Sequence, residues 1–198
     1  MPLTEEQIKK YTTRLMLARL RLLNNNGFYG LLLMHLKFGL DESCETAYTD
    51  GKRVAFSPKF LDQLSDSEVD FVLMHEVLHI VLKHCFRGSK VDQELFNIAC
   101  DIVVNSNILY SNNMDLSSIY IKAFNIESMH LTPNGDEGYK YTAEEVFDML
   151  VKKGMGKSNK GKRKSGGSNN SQNGNSDSFD DHTHWLDDGD DSYLMDEW

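Results

Sequence analysis

A chain of 198 residues with 40% hydrophobic content is long enough to bury one sizeable core. Its formal charge of -9, from 30 acidic against 21 basic residues, argues against a nucleic-acid-binding face. Three cysteines, Cys44, Cys85 and Cys100, lie at no C-x-x-C spacing and fit reduced thiols better than a disulfide framework.

Thr4-Glu5-Glu6-Gln7 is a capping box and predicts an amphipathic helix to about Asn24, with Ile8, Leu15, Leu17, Leu20, Leu22 and Leu23 as its apolar residues. Asn25-Asn26-Gly27 ends it. The apolar run from Phe28 to Phe38 suits a strand or a short helix, and Gly27, Gly30 and Gly39 favour the strand. That run is too short to cross a bilayer, and no charged-then-apolar leader opens the chain, so no membrane partner and a cytoplasmic location are expected. Thr46 to Thr49, Asp50-Gly51 and Arg53 to Ser57 read as a hairpin closed by Pro58. The edge of such a hairpin can hold an extended peptide through main-chain hydrogen bonds.

Ser65-Asp66-Ser67-Glu68 is a second capping box. The apolar density from Val69 to Leu82 predicts a buried helix that stops near Gly88. Within it stands His75-Glu76-Val77-Leu78-His79, an H-E-x-x-H pattern. Two histidines four apart lie one above the other on a helical face and can bind one metal ion. Glu76 is placed to deprotonate a water that the metal activates. The alternative is a helix with two core or surface histidines and a solvated glutamate. Buried imidazoles need partners, and a metal satisfies both at once.

A catalytic zinc takes three protein ligands, so the next helix, Glu94 to Tyr110, is the place to look for the third. Asn97, Asp101 and Asn105 form a polar stripe on this otherwise apolar element. An antiparallel pair of helices joined through Gly88-Ser89-Lys90 would bring that stripe against the histidines. Asp101 is then either the third ligand, a carboxylate that orients His75 or His79, or half of a structural pair. Asn97 and Asn105 suit supporting roles. His84, five residues after His79, is rotated off the ligand face unless the helix breaks, and reads as a core or supporting group. Cys85 and Cys100 read as small core residues.

Thr142-Ala143-Glu144-Glu145 caps a last helix, with Val146, Phe147, Leu150 and Val151 as its buried face and Gly154 at its end. Residues 154–178 are a flexible basic linker of Gly, Ser, Asn and Lys. Its Lys160, Lys162, Arg163 and Lys164 either meet phosphate or simply attract the acid that follows. From Asp177 to Trp198 there are nine Asp or Glu and no Lys or Arg. Residues 179–198 also keep Phe179, Trp185, Leu186, Tyr193, Leu194 and Trp198, which predicts a tail that docks on something.

Four stretches together resemble the putative metallopeptidase domain family of metal-dependent peptidases. They are the helix-embedded His75 to His79, the trailing Lys83-His84-Cys85-Phe86-Arg87, Asn97-Ile98-Ala99-Cys100-Asp101 through Asn105, and Asp181-His182-Thr183-His184-Trp185. Thr46-Ala47 and Thr49-Asp50-Gly51 extend the resemblance toward the front of the chain. The resemblance implies a zincin-like fold, His75 and His79 as metal ligands, Glu76 as general base and an acidic residue on the next helix near the metal. It also implies that the tail docks on the catalytic domain, where the late motif places an imidazole near the cleft, with His182, ahead of His184, as oxyanion stabiliser or extra ligand. Longer members continue into a von Willebrand factor A-like domain, for which a chain ending at Trp198 leaves no room.

The expected architecture is therefore α+β: a small zincin-like domain over residues 1–153, with an N-terminal helix, a short sheet and the H-E-x-x-H helix packed on a following helix. The expected function is zinc-dependent hydrolysis of a peptide or protein substrate. Zn2+ would sit on His75, His79 and Asp101, with Glu76 and His182 as catalytic groups. Alternatives are an inactive binding module with structural zinc, in which a further imidazole closes the coordination shell, and a hydrolase of non-peptide substrates.

Overall fold

The computed structural model describes residues 3–87 and 91–155. They form an α+β domain in which six α-helices surround a three-stranded sheet and a small two-stranded ribbon. Helix α1 (Glu5–Asn25) starts at the Thr4 capping box, where the Thr4 side chain accepts from Gln7 N–H and the Gln7 side chain accepts from Thr4 N–H. Its buried face is Tyr11, Leu15, Ala18 and Leu22, while Ile8, Leu17, Leu20 and Leu23 are exposed. Leucines occur all round this helix, and the spacing of Tyr11, Leu15, Ala18 and Leu22 selects the stripe that meets the core.

The run after Gly27 also differs from expectation. It is not one strand but helix α2 (Gly27–Leu33) followed by strand β1 (Lys37–Leu40). The glycine that favoured a strand has another use. A Cβ at Gly30 would overlap the Leu22–Leu23 backbone, so Gly30 marks the place where α2 lies directly on α1. Gly30→Ala is expected to push the two helices apart at a cost of about 1 to 3 kcal/mol. A thermal melt of that variant at the wild-type midpoint would contradict the packing.

Strands β2 (Ala47–Thr49) and β3 (Arg53–Phe56) are the expected hairpin, paired antiparallel around Gly51 at φ +88°. Asp50 secures the turn by accepting from the N–H groups of Lys52 and Arg53 and from the Arg53 guanidinium. Strand β1 pairs with β3 in parallel, giving the order β1-β3-β2, with β2 at an edge and packed on α4. Short helix α3 (Pro58–Gln63) follows, with Pro58 in its first turn.

Helix α4 (Asp66–Val81) opens at the Ser65 capping box. Glu68 of that box also accepts from Lys122 N–H, fixing the helix start to the later chain. Burial raises the Glu68 pKa, but the hydrogen bonds from Ser65, Lys122 and Ala123 outweigh it and hold the carboxyl below its usual range. Every side chain from Phe71 to His79 is buried. Helix α5 (Gln93–Ser111), capped by Asp92, packs against α4 and α6 (Ala143–Lys152). The ribbon β4 (Tyr120–Ile121) and β5 (Ile126–Glu127) lies between α5 and α6 in sequence.

The main core joins α1, α2, the sheet, α3 and α4 with Val104, Ile108 and Leu109 of α5. A second cluster holds α5 to α6 through Leu95, Ala99, Ile102, Val103, Val146 and Leu150. Val151, expected in the buried face of α6, is exposed. Gly154 ends this region at φ +81°, as expected of a helix stop.

Candidate metal centre

Because α4 and α5 run antiparallel, the earlier histidine of α4 faces the later residues of α5: His75 meets Asn105, and His79 meets Asp101. His75 Nε2 and His79 Nε2 lie 2.9 Å apart. Asp101 Oδ1 is 3.4 Å from His79 Nε2 and 3.7 Å from His75 Nε2. All three side chains are buried, and their ligand atoms lie within 4.8 Å of one another. Among the described residues no other His, Cys, Asp or Glu trio converges in this way. The structure thus brings together the three residues picked out as ligands by the sequence. A divalent cation is the species that two imidazole nitrogens and a carboxylate oxygen, taken out of water at one point, can share.

The ring of His75 is held from behind. Asn105 Oδ1 lies 2.8 Å from His75 Nδ1, and Asn105 Nδ2 donates to the Met129 carbonyl at 2.9 Å. The second bond fixes which end of the amide is the oxygen, so Nδ1 carries the ring proton and Nε2 presents its lone pair to the trio. Asn97, in contrast, is only half-buried and is met by Gln93.

Glu76 is fully buried, one residue from His75 in the same helical turn. Helix α4 does not run on to Gly88. It stops at Val81, and Lys83 adopts a left-handed conformation at φ 57°. No glycine signals this break, so the sequence points to a later stop. The break swings His84 back into the site, where its Nδ1 lies 3.2 Å from His79 Nδ1. His84 is 1% exposed. It is therefore not one of the converging trio but stands behind one member of it.

Cys85 and Cys100 pack with Phe96 and Ala143 in a small core cluster, as expected. Burial, with Asp101 adding to it, pushes the Cys100 thiol far up and keeps it protonated.

A polar group not foreseen from the sequence borders the centre through Asn105. Ser106 Oγ donates to Glu137 Oε2 at 2.7 Å, and His130 lies between Glu137 at 3.2 Å and Glu127 at 3.4 Å. The only sequence signal for it was Ser106 beside the stripe residue Asn105. His182, His184, the acidic tail and all of the linker after residue 155 lie outside the described residues.

No helix among the described residues is long and apolar enough to cross a membrane. Residues 10–192 match the family model described as a putative metallopeptidase domain. No curated protein and no solved structure matches the chain.

Proposed function

The chain belongs to the putative metallopeptidase domain family, and from that premise we propose that it hydrolyses peptide bonds with zinc bound by His75, His79 and Asp101. The observation that carries this reading is the convergence of His75 Nε2, His79 Nε2 and Asp101 Oδ1 inside a helix pair that also bears Glu76. Zinc held by these three side chains would supply Lewis acidity and bring the pKa of a water toward 7.

The protein's own groups do the rest. Glu76 accepts the proton of the attacking water on its carboxylate and returns it to the nitrogen of the leaving amine. Asn105 keeps His75 in the tautomer whose Nε2 faces inward. Asp101 lowers the net charge of the site, so that two neutral imidazoles and one carboxylate leave one positive charge to meet a developing oxyanion. Strand β2, at the sheet edge beside α4, is the line along which an extended substrate is held by its main chain. A cleft assembled in this way reads backbone more than side chains. His182 is proposed as the side chain that stabilises the oxyanion.

The test is elemental analysis of protein purified without added metal. Wild type is expected to carry about one zinc per chain and His79→Ala almost none. A wild-type protein that takes up no zinc even when it is supplied would sink the reading.

A further inference from the structure

The contact between His79 and His84 joins two Nδ1 atoms, each buried, at 3.2 Å. One proton serves that contact, on one ring or the other. If His79 is to turn Nε2 toward a metal, its proton must sit on Nδ1, and His84 Nδ1 must be the acceptor. We infer that His84 is a positioning residue for the metal centre: a neutral imidazole whose Nδ1 accepts from His79 Nδ1–H, holding that ring with Nε2 aimed at His75 Nε2 and Asp101. This inference rests on the zinc reading above.

The surroundings of His84 fix it in place from several sides. Lys83, at φ 57°, turns the chain out of α4 so that His84 follows His79 by five residues yet faces its ring, with ring centroids 5.1 Å apart at 71°. Arg87 donates to the Leu82 carbonyl at the end of α4 and pairs with Glu144 of α6. Phe86 lies against Gly51 of the hairpin, where a Cβ would come within 2.8 Å of its ring. Cys85 Sγ approaches the Thr49 carbonyl at 3.8 Å. The short 3-10 turn from His84 to Phe86 is thus clamped to the hairpin, to α4 and to α6, and rigid support is what a ligand-orienting group needs.

The choice of residue type also has an electrostatic reason. The partner behind a metal-binding histidine is commonly a carboxylate. Here Asp101 already stands beside His79 and Glu76 three residues before it. A further buried carboxylate would add a third negative charge to a low-dielectric site and raise the proton affinity of the other two. An imidazole accepts the same hydrogen bond without that charge.

The experiment compares His84→Leu and His84→Asn with wild type, measuring zinc affinity by chelator competition and recording the imidazole 15N spectrum of the zinc-loaded proteins. Leu removes the acceptor; Asn restores an oxygen near the position of Nδ1. The expected result is a 10- to 100-fold loss of affinity in His84→Leu, substantial recovery in His84→Asn, and a His79 Nδ1–H signal protected from exchange in wild type and in His84→Asn alone. Equal affinity in all three, or an equal loss in two folded variants with the His79 signal unmoved, would overturn the assignment. If His84→Leu fails to fold, by circular dichroism, the Asn variant decides: near-wild-type affinity with a protected His79 signal supports the role, and an exposed signal overturns it. A wild-type protein without zinc would instead remove the reading on which the inference rests.

Discussion

Glu76→Gln is expected to abolish peptidase activity while leaving the zinc in place. The substitution keeps the shape of a fully buried side chain, so α4 can keep its packing. It removes the one property the proposed chemistry requires, a basic oxygen one residue from His75. Loss of a positioned general base costs about 10²- to 10⁴-fold, or about 3 to 5 kcal/mol in the barrier. The measurement is kcat/KM on a general protein substrate with zinc content determined on the same preparation. Full zinc with no turnover is the expected pair of results. Retained turnover at full zinc would take the base role away from Glu76, whereas loss of zinc together with turnover would mean that the carboxylate supports the site rather than the reaction.

Asp101→Asn should weaken zinc binding by more than 100-fold. The exchange is close to isosteric, and the residue lies on α5 between core positions, so folding is expected to survive. An amide oxygen is a poor ligand for zinc beside imidazoles, and the lost charge raises the net positive charge of the site. The size of the loss separates two roles. Groups that merely orient a ligand change affinity by about 10- to 100-fold, so a smaller drop in chelator competition would move Asp101 out of direct contact with the metal. A protein that keeps wild-type affinity would place the third ligand elsewhere.

Much of this centre was legible in the sequence, and for definite reasons. His75, Glu76 and His79 are spaced by the helical repeat, and capping boxes at Thr4, Ser65 and Thr142 announce where three helices begin. The stripe of Asn97, Asp101 and Asn105 stood out because polar residues at helical spacing on an apolar element require partners, and two of the three are buried facing α4. The parts that were not legible depend on contacts distant in sequence. The end of α4 is set by a lysine in a left-handed conformation, and nothing in its side chain foretells that. With the end placed later, His84 reads as rotated off the ligand face, and only the break turns it toward His79. Gly30 read as a strand marker because its meaning lies in the approach of α1, and the leucines of α1 gave no face because their number hid their period. The group around His130 and Glu137 comes from a loop whose placement against Ser106 no local pattern encodes.

The donors of the candidate centre come from two helices, His75 and His79 from α4 and Asp101 from α5. A cation seated there would act on the unfolded chain as a covalent staple does, tying off the stretch from His79 to Asp101 and depriving the denatured ensemble of the freedom of that loop. For a bridge closing a loop of roughly 22 residues, the entropic gain is about 3.4 kcal/mol. The ion proposed to activate a water would therefore also hold α4 to α5, and resistance to unfolding would track metal supply as closely as turnover does.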